Sequence, residues 1–220
     1  DSNKSKPKAL PMMEVIVTHF KPFFLGMSIC IAGYVLFYIM IAFSQIYAKS
    51  APTVSEAGYA MGLGFSPQIF TALLMPSAVS LAITITISGK YIDKVGRRIW
   101  LIWTTVGVAL FGLVLPYFLE NGTTLSLFWF LIIGMGLIGM GYGPLASFLP
   151  ELFPTHARYS GASLTYNIAG LFGASVAAII ALPLNANYGL KGVGIYLTLN
   201  AVLSLIGLWF ITETRDRQLL

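Results

Sequence analysis

The sequence predicts an all-α membrane protein with six transmembrane helices. Three observations predict it: a composition too apolar for a water-facing surface, six apolar runs long enough to cross a bilayer, and the exclusion of charge from those runs. Of the 220 residues, 57% are hydrophobic and 10% charged. A soluble domain carries about 25% charged residues, because its surface must face water. The mean hydropathy of +0.81 agrees. Lipid is therefore the expected solvent for most of this surface.

A helix needs about 20 apolar residues to cross a hydrocarbon core roughly 30 Å thick. Six segments qualify, running from Phe23 to Tyr47, Ser66 to Gly89, Ile99 to Leu119, Leu125 to Leu149, Gly161 to Leu184 and Gly192 to Thr212. They divide the chain into an arm over 1–22, a helical body over 23–212 and a tail over 213–220. The 13 basic and 8 acidic residues all lie outside these spans or at their ends. A charge at mid-bilayer costs about 2.5–3.5 kcal/mol even on the most lenient scale. Trp100, Trp103, Trp129 and Trp209 fall near span ends, where indole rings anchor at the interface.

Six crossings place both ends of the chain on one side, and the basic residues say which. One side collects Lys4, Lys6, Lys8, Lys21, Lys90, Lys94, Arg97, Arg98, Arg158, Arg215 and Arg217, and the other only Lys49 and Lys191. The positive-inside rule puts both termini in the cytoplasm. The net charge of +5 has the same origin, suits an anionic inner leaflet and calls for no nucleic-acid partner. The first residue is Asp rather than Met, which suggests a piece of a longer product, although Met12 or Met13 offers an alternative start.

The chemistry that these residues exclude is informative. Cys30 is the only cysteine, so no internal disulfide or thiolate cluster can form, and its apolar setting reads as packing. His19 and His156 lie outside the spans, which argues against an intramembrane histidine relay or metal site. With no nucleophile and base paired in a span, an enzyme is not expected, and no cofactor is called for. No Asp, Glu, His, Lys or Arg lies within a span, so an intramembrane proton carrier would have to come from elsewhere.

Two strings carry the family assignment. The first, after span two, reads Gly89-Lys-Tyr-Ile-Asp93-Lys94-Val-Gly96-Arg97-Arg98. Gly89 and Gly96 permit tight turns. Asp93 can pair with Arg97 or Arg98, or accept hydrogen bonds at the N-terminus of a neighbouring helix. The alternative is a solvated loop whose ion pairs are worth about 0–1 kcal/mol. The string resembles the loop signature G-x-x-x-D-[RK]-x-G-R-R of the major facilitator superfamily. The second, after span four, reads Pro150-Glu151-Leu-Phe-Pro154-Thr-His-Ala-Arg158-Tyr-Ser-Gly161-Ala-Ser, continuing through Tyr166-Asn167 and Gly170. It resembles the P-E-L-F-P-T-x-x-R string of the metabolite:proton symporter family, whose members carry organic acids, shikimate-like compounds, betaine or proline.

The resemblance extends over nearly the whole chain and implies helices seven to twelve of a twelve-helix transporter: a half-bundle of two inverted three-helix repeats. It implies a bacterial inner-membrane location, a small polar solute, coupling to protons, and an N-terminal six-helix half as partner, in the same or a separate chain. Gly89, Asp93, Lys94, Gly96, Arg97, Arg98, Glu151 and Arg158 are the expected conformational latch. Helices seven, eight, ten and eleven line the cavity in this family, which makes Tyr38, Gln45, Tyr142, Tyr166 and Asn167 the expected solute contacts. The alternative for each is a bond to a neighbouring helix, worth roughly 0.6 kcal/mol. Tyr34 shares the polar face of Tyr38 and Gln45, Ser77, Ser80 and Thr84 mark span two, and Asn200 reads as a helix tie. Span four carries Gly134, Gly136, Gly139, Gly141 and Gly143 before Pro144, a pattern that lets backbones approach closely and a place where the helix could bend. Two rival readings are a six-helix channel or facilitator subunit and a non-transporting assembly protein. The channel reading lacks the paired N-P-A and T-V-G-Y-G motifs.

Overall fold

Local start signals place the helices. Ser66 caps one helix by accepting a hydrogen bond from the Ile69 amide at 3.3 Å, with Pro67 preset in the first helical position. Thr123 caps another through the Ser126 amide at 3.2 Å. The computed structural model describes residues 11–211. Lys4, Lys6, Lys8, Thr212, Arg215 and Arg217 lie outside the described residues.

The elements in order are α1 (Pro11–Thr18), α2 (Phe20–Tyr38), a π-turn (Ile39–Phe43), α3 (Ser44–Lys49), α4 (Pro67–Val95), α5 (Arg97–Glu120), α6 (Thr124–Glu151), α7 (Arg158–Gly170), a second π-turn (Leu171–Ser175) and α8 (Val176–Phe210). Span one is thus α2, its π-turn and α3 in one continuous run. Spans two, three and four are α4, α5 and α6.

Helical backbone continues for 53 residues from Arg158 to Phe210. At 1.5 Å per residue that is about 80 Å, more than twice a bilayer core. The run is broken at Gly189, whose backbone (φ 67°, ψ −171°) is not helical. Before the break, Asn185 meets the loop that follows α3, donating from Nδ2 to the Ala60 carbonyl at 3.1 Å. After it, the carbonyls of Leu208 and Trp209 meet Arg98 at the opposite end. The chain therefore reverses at Gly189, and the bundle has six crossings. The expected gap between Leu184 and Gly192 is in fact helical except at that glycine.

One correction concerns the first motif. α4 does not stop at Gly89 but runs on to Val95, so Asp93 and Lys94 sit on its last turns and Gly89 makes no turn. Gly96 alone reverses the chain, at φ 100°, ψ 138°, a conformation closed to residues with a Cβ. α6 runs through Pro144, as span four does, and continues to Glu151.

α6 is central. α4 lies along it, with Ser80 Oγ donating to the Ile132 carbonyl at 3.0 Å and Ser88 Oγ to that of Gly139 at 3.4 Å. A Cβ at Gly139 would stand 2.6 Å from the Leu81 carbonyl oxygen, so glycine is what allows this approach. α5 packs on the second part of α8, tied by Thr198 Oγ1 to the Ala109 carbonyl at 3.0 Å. α8 in turn packs on α2, where Ser204 Oγ donates to the Ser28 carbonyl (2.6 Å) and accepts from the Ala32 amide (3.2 Å). α7 closes the ring between α2 and α6.

Packing density is uneven along the bundle. The main core gathers Phe43, Tyr47, Phe70, Leu115, Leu119, Leu127 and Phe130, all near the end that carries Lys49 and the 50–66 loop. Phe111 stacks on Phe130 with centroids 5.4 Å apart. Cavities open toward the other end, where α2, α6 and α7 meet.

Candidate functional site

Three tyrosines from three helices converge where the packing gives way. Tyr34 on α2 and Tyr166 on α7 have ring centroids 5.0 Å apart, inclined at 51°. Tyr166 is also within side-chain hydrogen-bonding reach of Tyr142 on α6. Gly170 and Gly173, one and two turns past Tyr166, lie against Tyr34 and let that ring sit between the helices.

The cluster divides two cavities. One, of about 260 Å³, runs between α2, α4, α5 and α6, with Tyr34, Tyr142 and Tyr166 and also Cys30, Thr104 and Thr105 on its walls. Both threonines bond back to their own helix, at Trp100 and Leu101. The other, of about 660 Å³, lies between α6 and α7 and reaches the basic end of the bundle; Tyr142, Tyr166, Ser163, Arg158 and Tyr159 line it. Tyr142 is 52% exposed, although it lies on a membrane-spanning helix. Polar groups in such a setting are stable only against a partner helix, a solute or water.

The remaining expected contacts fall elsewhere. Tyr38 turns away from the cluster and donates to the Ala178 carbonyl at 3.4 Å. Asn167 is exposed and donates to the Ser163 carbonyl one turn back at 2.8 Å. Gln45 is half-buried near the densely packed end. In α8, Asn200 bonds within its own helix, to the Tyr196 carbonyl at 2.8 Å. Tyr34 is the residue that sequence reasoning underweights. Its i, i+4 spacing to Tyr38 is visible, but not which of the two turns toward Tyr166.

At the basic end, Arg97 joins two helices. Its guanidinium stands 3.7 Å from Asp93 on the last turn of α4 and forms an ion pair with Glu151 at the end of α6. The Glu151 side chain is 13% exposed and that of Asp93 76%. Arg98 reaches the last carbonyls of α8, with Nε 2.8 Å from Leu208 O and a terminal nitrogen 3.1 Å from Trp209 O. A cation there satisfies orphan carbonyls and the negative end of the helix dipole. Lys94 lies over the Tyr91 ring at 5.9 Å. Nearby, the His19 and His156 rings are 6.1 Å apart. Among the described residues, no group of three or more His, Cys, Asp or Glu is placed to hold a metal ion.

Residues 57–220 match the family model described as "Sugar (and other) transporter". A Haemophilus influenzae protein named for metabolite transport is 89% identical over 99% of this chain and 48% of its own length. The inner membrane metabolite transport protein YhjE of Escherichia coli is 37% identical over 97% of this chain and 47% of its own. The ectoine/proline transporter ProP of Corynebacterium glutamicum is 28% identical over 96% and 40%. The chain thus spans about half the length of the curated relatives it matches. No solved structure matches it. Six apolar crossings, a tyrosine-lined cavity among them and this family match lead to one conclusion: the chain belongs to the sugar (and other) transporter family of the major facilitator superfamily.

Proposed function

We propose that the chain is the C-terminal half, helices seven to twelve, of a secondary active transporter in a bacterial inner membrane. It moves a small polar metabolite, an organic acid or betaine-like solute, by alternating access coupled to protons. The observation that carries this reading is the tyrosine cluster beside a 660 Å³ cavity open at one end of a bundle that is densely packed at the other. That asymmetry is what a carrier needs in one of its two states. Lys90, Lys94, Arg97, Arg98 and Arg158 gather at the hollow end, and Lys49 and Lys191 at the packed one. By the positive-inside rule this half is open to the cytoplasm, with both termini there. The relatives named for proline, betaine and metabolite transport support the solute class.

Asp93, Arg97 and Glu151 form the core of the latch, with Gly96 setting the turn, Arg98 bracing α8, and Lys94 and Arg158 on the same face. They hold α4 and α6 together until solute or protons shift the balance between states. Tyr34, Tyr142 and Tyr166 are the solute contacts this half contributes, and Tyr38, Gln45 and Asn167 lie at the margin. The described spans hold no acidic residue at mid-membrane, so the proton carrier belongs to the N-terminal half.

The test is uptake of radiolabelled succinate and proline by proteoliposomes holding the complete transporter, with and without an inward proton gradient. Accumulation that depends on the gradient is expected, with Tyr166→Phe raising the half-saturating concentration. No gradient-dependent uptake of any solute in such a panel, or dye release by the 220-residue chain alone, would sink the proposal, the second in favour of a channel.

A further inference from the structure

The smaller cavity differs in chemistry from the larger one. Its wall is mostly aliphatic, with Leu36, Leu81, Ile85, Val108 and Leu137 among the lining side chains. Among the described residues, no charged side chain lines it. Thr104 and Thr105 donate to the Trp100 and Leu101 carbonyls of their own helix, at 3.0 and 2.7 Å. A polar solute entering here would exchange water for walls that return few hydrogen bonds, which is costly. The space is unsuited to the metabolite proposed for the larger cavity.

Two glycines keep this space open. A Cβ at Gly33 on α2 would meet nothing within 4 Å, and one at Gly141 on α6 would meet only Thr104 Cγ2, at an ordinary 3.7 Å. Both glycines line the cavity. Elsewhere on α6 glycine is needed for packing: at Gly134, Gly139 and Gly143 a Cβ would collide with atoms of Met40, Leu81 and Ser88 respectively. Gly33 and Gly141 have no such neighbour, and glycine weakens a helix interior relative to alanine. What the two positions share is the cavity volume that a side chain would fill.

The hydroxyls set a second requirement. Tyr166 is within hydrogen-bonding reach of both Tyr34 and Tyr142, and all three line this cavity. Two bonds among three hydroxyls use two of their three protons, which leaves one O–H to donate outside the trio. An apolar cavity of about 150 Å³ is enough to hold benzene. The 260 Å³ here admits one ring with a short substituent.

We propose that the smaller cavity is a binding site for a small, neutral, monoaromatic molecule bearing one hydrogen-bond acceptor. Its ring lies among the aliphatic side chains and its acceptor on the tyrosine trio. The site meets the larger cavity at Tyr142, Leu145 and Tyr166, and it holds whichever solute that cavity takes. A lipid tail would match the aliphatic wall but bring no acceptor, and an ion would find no countercharge.

The experiment follows the unfolding midpoint of the complete transporter in nanodiscs with acetophenone, with ethylbenzene and with benzylammonium, at equal membrane concentrations. Fluorine NMR of para-fluoroacetophenone gives a second, direct measure of binding. Acetophenone should raise the midpoint saturably. Ethylbenzene, which has the same shape without the acceptor, should bind about threefold to tenfold more weakly, the worth of one hydrogen bond. Benzylammonium should have no effect. Gly33→Leu and Gly141→Leu, which fill the cavity from α2 and from α6, should each abolish the saturable response, so one folded variant is enough for the test. No saturable binding to the unsubstituted protein, or binding unchanged in a filled variant, would overturn the site. Equal affinities for acetophenone and ethylbenzene would overturn it too, in favour of a greasy pocket that a lipid tail can occupy. Loss of uptake bears on the transport proposal alone, because every arm here reads binding.

Discussion

Arg97 illustrates how one side chain can matter differently to two partners. Its partner Glu151 is largely buried, so removing the guanidinium strands a charge; its partner Asp93 is mostly in solvent. Breaking a buried pair from one side costs about 3–5 kcal/mol, whereas an exposed pair is worth about 0–1 kcal/mol. Arg97→Gln is therefore expected to lower the unfolding midpoint and membrane yield sharply. Asp93→Asn should leave yield unchanged and slow uptake, and unchanged uptake would remove Asp93 from the latch. Ser204 is a quieter case. Its hydroxyl both donates to Ser28 and accepts from Ala32, stitching α8 to α2. Ser204→Ala should cost about 0.6 kcal/mol, and no more than about 1.7, in thermal unfolding of the nanodisc-embedded protein. A loss of several kcal/mol would mean that the tie organises more than one helix pair.

Two elements show how close backbone approach and loop docking shape the bundle. Along the α4–α6 contact, Gly139 faces the Leu81 carbonyl with no room for a side chain, while a Cβ at Gly33 on α2 would meet nothing within 4 Å. Gly139→Val should cost about 1–3 kcal/mol through overpacking, while Gly33→Ala should stay within about 0.5 kcal/mol. Comparable yields of the two variants by fluorescence-detected size exclusion would refute this packing account. On the opposite end, the 50–66 loop folds back on itself through the Val54–Ala60 bridge and docks on the break in α8. Ser55 Oγ donates to the Ala186 carbonyl at 2.7 Å, Asn185 donates to Ala60, and the Tyr59 ring covers Gly189. Asn185→Ala should expose residues 50–65 to limited proteolysis with little change in global stability; equal protection would show that Tyr59 alone suffices. The second π-turn carries Gly173, which packs against Tyr34, a common placement for such turns at functional sites.

The largest buried cluster lies toward the Lys49 end, smaller clusters and the larger cavity lie toward the basic end, and α4 is the least covered of the crossings. If the proposed partner half covers part of that surface, co-expression with the portion of the 89% identical Haemophilus influenzae relative that this chain does not match should yield a complex on affinity purification of this chain. Recovery of the chain alone would argue for a self-sufficient bundle. The spans, their number and the gathering of positive charge at one end were legible in the sequence, because the cost of placing charge or unpaired backbone in hydrocarbon acts on each segment separately. Gly96 was legible for the same kind of local reason, but Gly89 was not, because glycine permits a turn without requiring one, and α4 stays helical through it to Val95. Of the tyrosine cluster, Tyr142 and Tyr166 stood out in the sequence as polar groups in apolar helices. Which of Tyr34 and Tyr38 faces them, and which arginine pairs with Glu151, depends on helix rotation and on residues more than fifty positions apart. Segment hydrophobicity thus determined what enters the membrane, while side-chain contacts between segments, which no single stretch encodes, decided where the cavity lies and which cation lines it.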